Sequence, residues 1–133
     1  MGEPATVYRV QDAKGRGPFR PGFSEKWVEE RPDHDNLQPW LIEFPDVLKS
    51  IRTRQQFSHC SYGCGCKSLD QLRRWFTRSE YSRLKEFGYS AVVLQVDRIL
   101  AQSEVQCVFE RELPLTWGAK AVELWPRRRR ARR

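Results

Sequence analysis

The chain has 133 residues, 39% of them apolar, with five Trp, seven Phe and four Tyr; this length suits one domain and this aromatic content supplies a core, which excludes disorder throughout. The formal net charge is +7, but Arg127, Arg128, Arg129, Arg130, Arg132 and Arg133 carry six of these charges and leave residues 1–126 at +1, so basicity alone does not make the body a nucleic-acid binder. With no apolar run of membrane-spanning length and no basic-then-apolar leader, the expectation is a cytoplasmic protein with reduced cysteines.

In chain order, Ala5 to Val10 is a β-prone run with Thr6, Tyr8 and Val10 on one side and Val7 and Arg9 on the other, which predicts a first strand. Lys14 to Pro18 breaks regular structure, and an ordered loop is expected up to Pro32. Asp33, Asp35 or Asn36 can then cap a helix carrying Leu37, Trp40, Leu41 and Phe44, with Pro39 in its first turn and Pro45 at its end. A second short segment, Asp46 to Ile51, places Val47, Leu48 and Ile51 on one side.

Ser68 and Gln71 fit a capping box for a helix whose apolar face is Leu69, Leu72, Trp75 and Phe76. Thr77 and Glu80 repeat that device for a helix presenting Tyr81, Leu84 and Phe87, which Gly88 can end in the left-handed conformation. Tyr89 to Val96 reads as a buried strand and Asp97 to Ser103 as a connection with room for a helical turn. Val105, Cys107 and Phe109 alternate with Gln106, Val108 and Glu110, which predicts a strand with one wet or functional face; Trp117 to Trp125 offers a last strand or a short helix. The expected fold class is therefore α+β, a small mixed or antiparallel sheet with two to four short helices, in one domain over residues 1–126 followed by a disordered polyarginine tail over 127–133. That tail suits contact with nucleic-acid phosphates, or simple solubilisation.

Local chemistry is sparse. His59, Cys60, Cys64 and Cys66 are soft-metal ligand types, but all four crowd into one segment where a structural zinc site draws pairs from two separate places, so zinc is disfavoured against a Gly-rich turn with incidental thiols. A nucleophilic cysteine would need His59 or His34 as its base, and no local nucleophile motif surrounds any of them. Gly15-Arg16-Gly17 lacks the spacing of a dinucleotide fingerprint or a P-loop.

A wider pattern joins Val7-Tyr8-Arg9-Val10, Gly15-Arg16-Gly17-Pro18-Phe19, the run from Gly65 through Ser68-Leu69 to Trp75-Phe76, and Gln106-Cys107-Val108-Phe109. Over about residues 6 to 113 it resembles a group of short phage and prophage proteins that in turn look like compact members of the ADP-ribosyltransferase fold. The resemblance implies NAD as cofactor and a host macromolecule, protein or nucleic acid, as target. It gives Arg9 the task of holding the nucleotide with Gly17, puts Tyr62 or Ser68 beside the nicotinamide, and makes Gln106 or Glu104 the later-strand residue that stabilises positive charge as nicotinamide leaves. The departure is Gln106 where the pattern expects a carboxylate: an amide carries no negative charge, which implies weak or lost transfer. The alternative is a non-enzymatic phage protein that binds and inhibits a host protein or nucleic-acid complex, with Trp27, Trp40 and Trp117 as anchors.

Overall fold

A computed structural model describes residues 4–20, 22–31 and 37–126, so the anticipated caps Asp33, Asp35 and Asn36, and the arginine run after Pro126, lie outside the described residues. Among the described residues, six strands form two three-stranded antiparallel sheets. The first has the order β1 (Ala5–Gln11), β3 (Ser90–Val96), β6 (Lys120–Ala121); the second has the order β2 (Ser61–Gly65), β5 (Cys107–Arg111), β4 (Arg98–Gln102). Four α-helices among the described residues complete the α+β fold: α1 (Trp40–Glu43), α2 (Val47–Gln55), α3 (Leu69–Trp75) and α4 (Arg78–Glu86). None is long and apolar enough to cross a membrane.

The strand pattern places the site. Residues Ala5 to Gln11 of β1 pair in register with Val96 to Ser90 of β3, and the other edge of β1 meets the end of β2 through one antiparallel bridge, where Tyr8 and Cys66 exchange backbone hydrogen bonds of 2.8 Å each. The sheets therefore meet at a corner one residue before Arg9. Their apolar faces pack Val7, Leu94, Val96, Cys107 and Phe109 into one buried cluster. A second cluster lies under α3 and α4 and contains Trp27, Leu72, Trp75, Phe76, Leu84 and Leu124.

Of the two anticipated capping boxes, the second is complete and the first is half made, because the Gln71 side-chain oxygen accepts from the Lys67 amide at 2.8 Å and not from the Ser68 amide. Ser68 accepts from the Gln71 amide at 3.1 Å, and Thr77 with Glu80 closes a full capping box before α4. Gly88 ends α4 at φ 87°.

Several expectations are corrected. The helix expected from Leu37 to Phe44 is one turn, because Pro39 is its extended N-cap, at ψ 150°, and not a first-turn residue. The expected connection from Asp97 to Ser103 is instead mostly strand, β4 running Arg98–Gln102. All five residues of β5 are buried, so it has no wet face, and the last strand is only two residues long. His59 to Cys66 is not a Gly-rich turn: Ser61 to Gly65 is the strand β2.

Candidate functional site

β1 carries Arg9 on the face it shares with Val7. That face looks onto β2 where β2 has only glycines: a methyl group on Gly65 would sit against the Val7 side chain and 2.9 Å from the Tyr8 carbonyl oxygen, and one on Gly63 would collide with the Arg9 guanidinium and stand 2.9 Å from Phe109 Cζ. The alternation Gly63-Cys64-Gly65 thus lets two sheets approach within the width of one arginine, with the Arg9 guanidinium carbon 5.8 Å from the centre of the Phe109 ring.

Arg9 is 6% exposed, and its internal partners are few. Nη2 donates to the Gly15 carbonyl at 3.4 Å, while Nε and Nη1 have no hydrogen-bond partner among the described residues. Burial lowers its pKa, opposed by the neighbouring Cys64 and Asp12, but an arginine keeps its proton at neutral pH. A buried cation with two orphaned donors is costly unless something anionic or strongly polar meets it.

The guanidinium lines an open cavity of about 550 Å³, within the size range of small-ligand sites. Gly17, Pro18 and Phe19 form one rim; Trp40, Leu41, Leu48 and Ile51 of α1 and α2 form another; Tyr62 to Cys66, Leu72, Trp75, Phe76 and Gln106 complete the walls. The Gly17 rim is held in shape by Asp12, whose carboxylate accepts from the Lys14 and Arg16 amides at 2.9 Å each and from Arg16 Nε at 2.8 Å. Phe19 packs against Trp27, Trp75 and Phe76 with ring centres 5.0 to 5.6 Å apart. Trp75 and Phe76 are therefore core residues whose edges also face the cavity.

Gln106 lies just before β5, and its side-chain nitrogen donates to the Gln38 carbonyl and to the Glu43 carboxylate at 2.8 Å each. Arg9, Gly17, Tyr62 and Gln106 thus line one cavity, although residues 9 and 106 are far apart in sequence. Tyr62 donates its hydroxyl to Glu110 at 2.7 Å, and burial together with that carboxylate raises its pKa. Ser68 and Glu104 do not line the cavity. The Ser68 hydroxyl caps α3, and Glu104 is exposed at the turn before β5, its carbonyl accepting from the Gln71 side chain at 2.9 Å. A carboxylate at position 104 would be available to bulk water and not to a ligand beside Arg9. Nor does Glu110 pair with Arg9: its carboxylate is taken by Tyr62, Arg54 and Arg98.

Sequence reasoning missed Glu43 and the α1–α2 wall. Their local pattern carries an amphipathic signal and nothing that points at β5; only the fold brings Glu43 to Gln106. The informative signal left unread was the pair of glycines spaced two apart in a strand, which marks a close backbone approach.

Burial disfavours the thiolate at three of the cysteines. Burial raises the pKa of Cys64, opposed by Arg9, and of Cys66 and Cys107, the last pushed up to about 12. His59 is exposed, and His34 lies outside the described residues. Among the described residues no three His, Cys, Asp or Glu come together as a metal site. The Trp27 anchor is also removed, since its side chain is fully buried and donates to the Pro18 carbonyl at 3.2 Å.

A family model described as Bacteriophage T4 Y00F protein matches residues 1–118. No curated protein and no solved structure matches the chain.

Proposed function

The chain belongs to the Bacteriophage T4 Y00F protein family, and we propose, from the cavity beside Arg9, that it acts as a phage or mobile-element ADP-ribosyltransferase-like protein, binding NAD there and modifying a host macromolecule. The observation that carries this reading is the buried Arg9 guanidinium, with Nε and Nη1 unpartnered, in the wall of a mostly apolar cavity shared with Gln106. A dinucleotide answers both halves of that wall: its pyrophosphate and ribose oxygens suit the orphaned donors, and its flat rings suit Phe19, Trp40 and Trp75. NAD supplies an activated ribose carbon; its bond to nicotinamide breaks with the electron pair leaving on the ring nitrogen, while a target nucleophile bonds that carbon and releases its proton to water. Gln106, fixed by Gln38 and Glu43, orients a ribose hydroxyl through its amide oxygen.

The test pairs binding with stability. Arg9→Met keeps most of the side-chain volume and removes a buried unpaired charge, so its melting temperature should match or exceed that of the wild type. Its NAD affinity, read by calorimetry, should fall at least about tenfold, as expected for losing a charged hydrogen-bonding group. Absence of both NAD binding and label transfer from NAD into host extract by the wild-type chain would refute the reading.

A second reading, a non-enzymatic inhibitor of a host complex, draws support from Phe57 at 84% and Trp117 at 65% exposure, large apolar side chains of the kind that anchor interfaces. It expects a host protein to be retained by the immobilised chain and released by Trp117→Ala, with no label transfer from NAD.

A further inference from the structure

Helix α2 turns one stripe toward the cavity: Leu48, Ile51, Arg52 and Gln55 line it, at the spacing that sets side chains on one helix face. Arg52 and Gln55 are exposed and stand at its mouth, where the apolar part of the stripe ends. The two arginines of this helix end differently. Arg54 turns to the sheet and pairs with Glu110 at 3.1 Å. Arg52 lines the cavity and has no ion pair among the described residues.

Among the described residues, the cavity is lined by two arginines, Arg9 and Arg52, and by no aspartate or glutamate. Three carboxylates stand behind the lining, each already engaged. Asp12, near Arg9, pairs with Arg16 at 2.8 Å. Glu110 accepts from Tyr62 but is shared by Arg54 and Arg98, which leaves a surplus positive charge there. Glu43, which accepts from the Gln106 side chain, offsets only that surplus. The two lining cations also belong to different walls. Arg9 sits in the corner of β1 and β2 against Gly17 and Gly63 and is 6% exposed, whereas Arg52 stands on α2 at the open side.

We propose, resting on the reading that a dinucleotide fills the cavity, that Arg52 is a specificity-determining residue which selects a dinucleotide with an additional phosphate on its adenosine ribose, NADP, over NAD. A pyrophosphate bound at Arg9 leaves Arg52 without a partner, whereas a ligand with a further, separate phosphate answers both walls. A phosphate monoester carries about −1.5 to −2 charges at neutral pH and three acceptor oxygens, and a guanidinium fork meets two such oxygens at once. The hydroxyl that NAD has in that place offers no charge. The reaction is otherwise the same as with NAD: the bond to nicotinamide breaks with its electron pair leaving on the ring nitrogen, and the target nucleophile bonds the ribose carbon and releases its proton to water. The transferred group then keeps the additional phosphate.

The experiment is calorimetry of the full chain with NAD and with NADP. The wild type should bind NADP at least about tenfold tighter than NAD, as a charge-assisted contact to phosphate gives. Arg52→Gln keeps a helix-forming side chain at an exposed position, so its melting temperature should be that of the wild type while its affinities for the two dinucleotides come together. Lys49→Gln removes a positive charge from the same helix outside the cavity lining and should keep the wild-type ratio. Equal affinities for NAD and NADP in the wild type, a fall of both by the same factor in Arg52→Gln, or an equal fall of the ratio in Lys49→Gln would overturn the role of Arg52. NAD binding without a preference for NADP removes that role and leaves the dinucleotide reading standing; binding of neither removes both.

Discussion

Arg9 is tolerated in the interior because its neighbours are too small to exclude it. Gly63 and Gly65 remove side chains where β2 faces β1, and Gly17 leaves a Cβ position only 3.4 Å from Arg9 Nη2. The guanidinium is thereby confined without being satisfied, which holds it ready for an anionic group and costs the apo protein stability. Gly63→Ala tests this confinement. Its methyl would meet Arg9 Nη1 and crowd Phe109, so the guanidinium must leave its place; the expected loss is about 1–3 kcal/mol in urea unfolding, with weaker NAD binding. An unchanged urea midpoint would show that Arg9 can move aside freely and is not held by β2.

Among the elements, α4 shows how much depends on one buried acid. Glu80 is fully buried; it accepts from the Thr77 amide and the Glu29 amide at 2.9 Å each and pairs with Arg31 at 3.2 Å. It serves at once as the second half of the helix cap and as the tie between α4 and the loop before α1. Glu80→Ala should therefore cost about 3–5 kcal/mol, the range for breaking a buried ion pair, whereas Thr77→Ala should cost about 1 kcal/mol as a lost cap. Chemical denaturation of the two variants orders them, and equal losses would mean that Glu80 does no more than cap. These caps were legible in the sequence because their geometry is contained within four residues, and β1 and β3 were legible because their composition and alternation stay regular. The strand β4 was not. Its pairing with β5 shifts between Ile99 and Ala101, so the irregularity spoils the two-residue period by which a strand is recognised. The site divides in the same way. Arg9, Gly17, Tyr62 and Gln106 were singled out by residue type and pattern, whereas Glu43 holds Gln106 only through tertiary contact, and Ser68 and Glu104 were assigned to the site although their local turns engage them elsewhere.

Across the whole molecule, the two sheets are joined by the Tyr8–Cys66 bridge and by a buried side chain, Arg111. It is 5% exposed and reaches from β5 to the Gln95 carbonyl of β3 at 2.8 Å, with further bonds to the carbonyls of Pro114 and Trp117. Removing it leaves those acceptors without their charged donor, so Arg111→Ala should lower stability by on the order of 3 kcal/mol. Because Arg111 does not line the cavity, NAD affinity of the folded variant should be preserved; lost affinity at full folding would mean that the angle between the sheets sets the cavity shape.

The bridge between Tyr8 and Cys66 has a consequence in time. Arg9 leaves the ribosome before its partners: β2 reaches it only after Cys66 has been made, β3 only after Val96, and Gln106 later still. A nascent chain therefore carries a solvated arginine and no cavity until Gln106 has been made, and the pieces of the site come together only from that point.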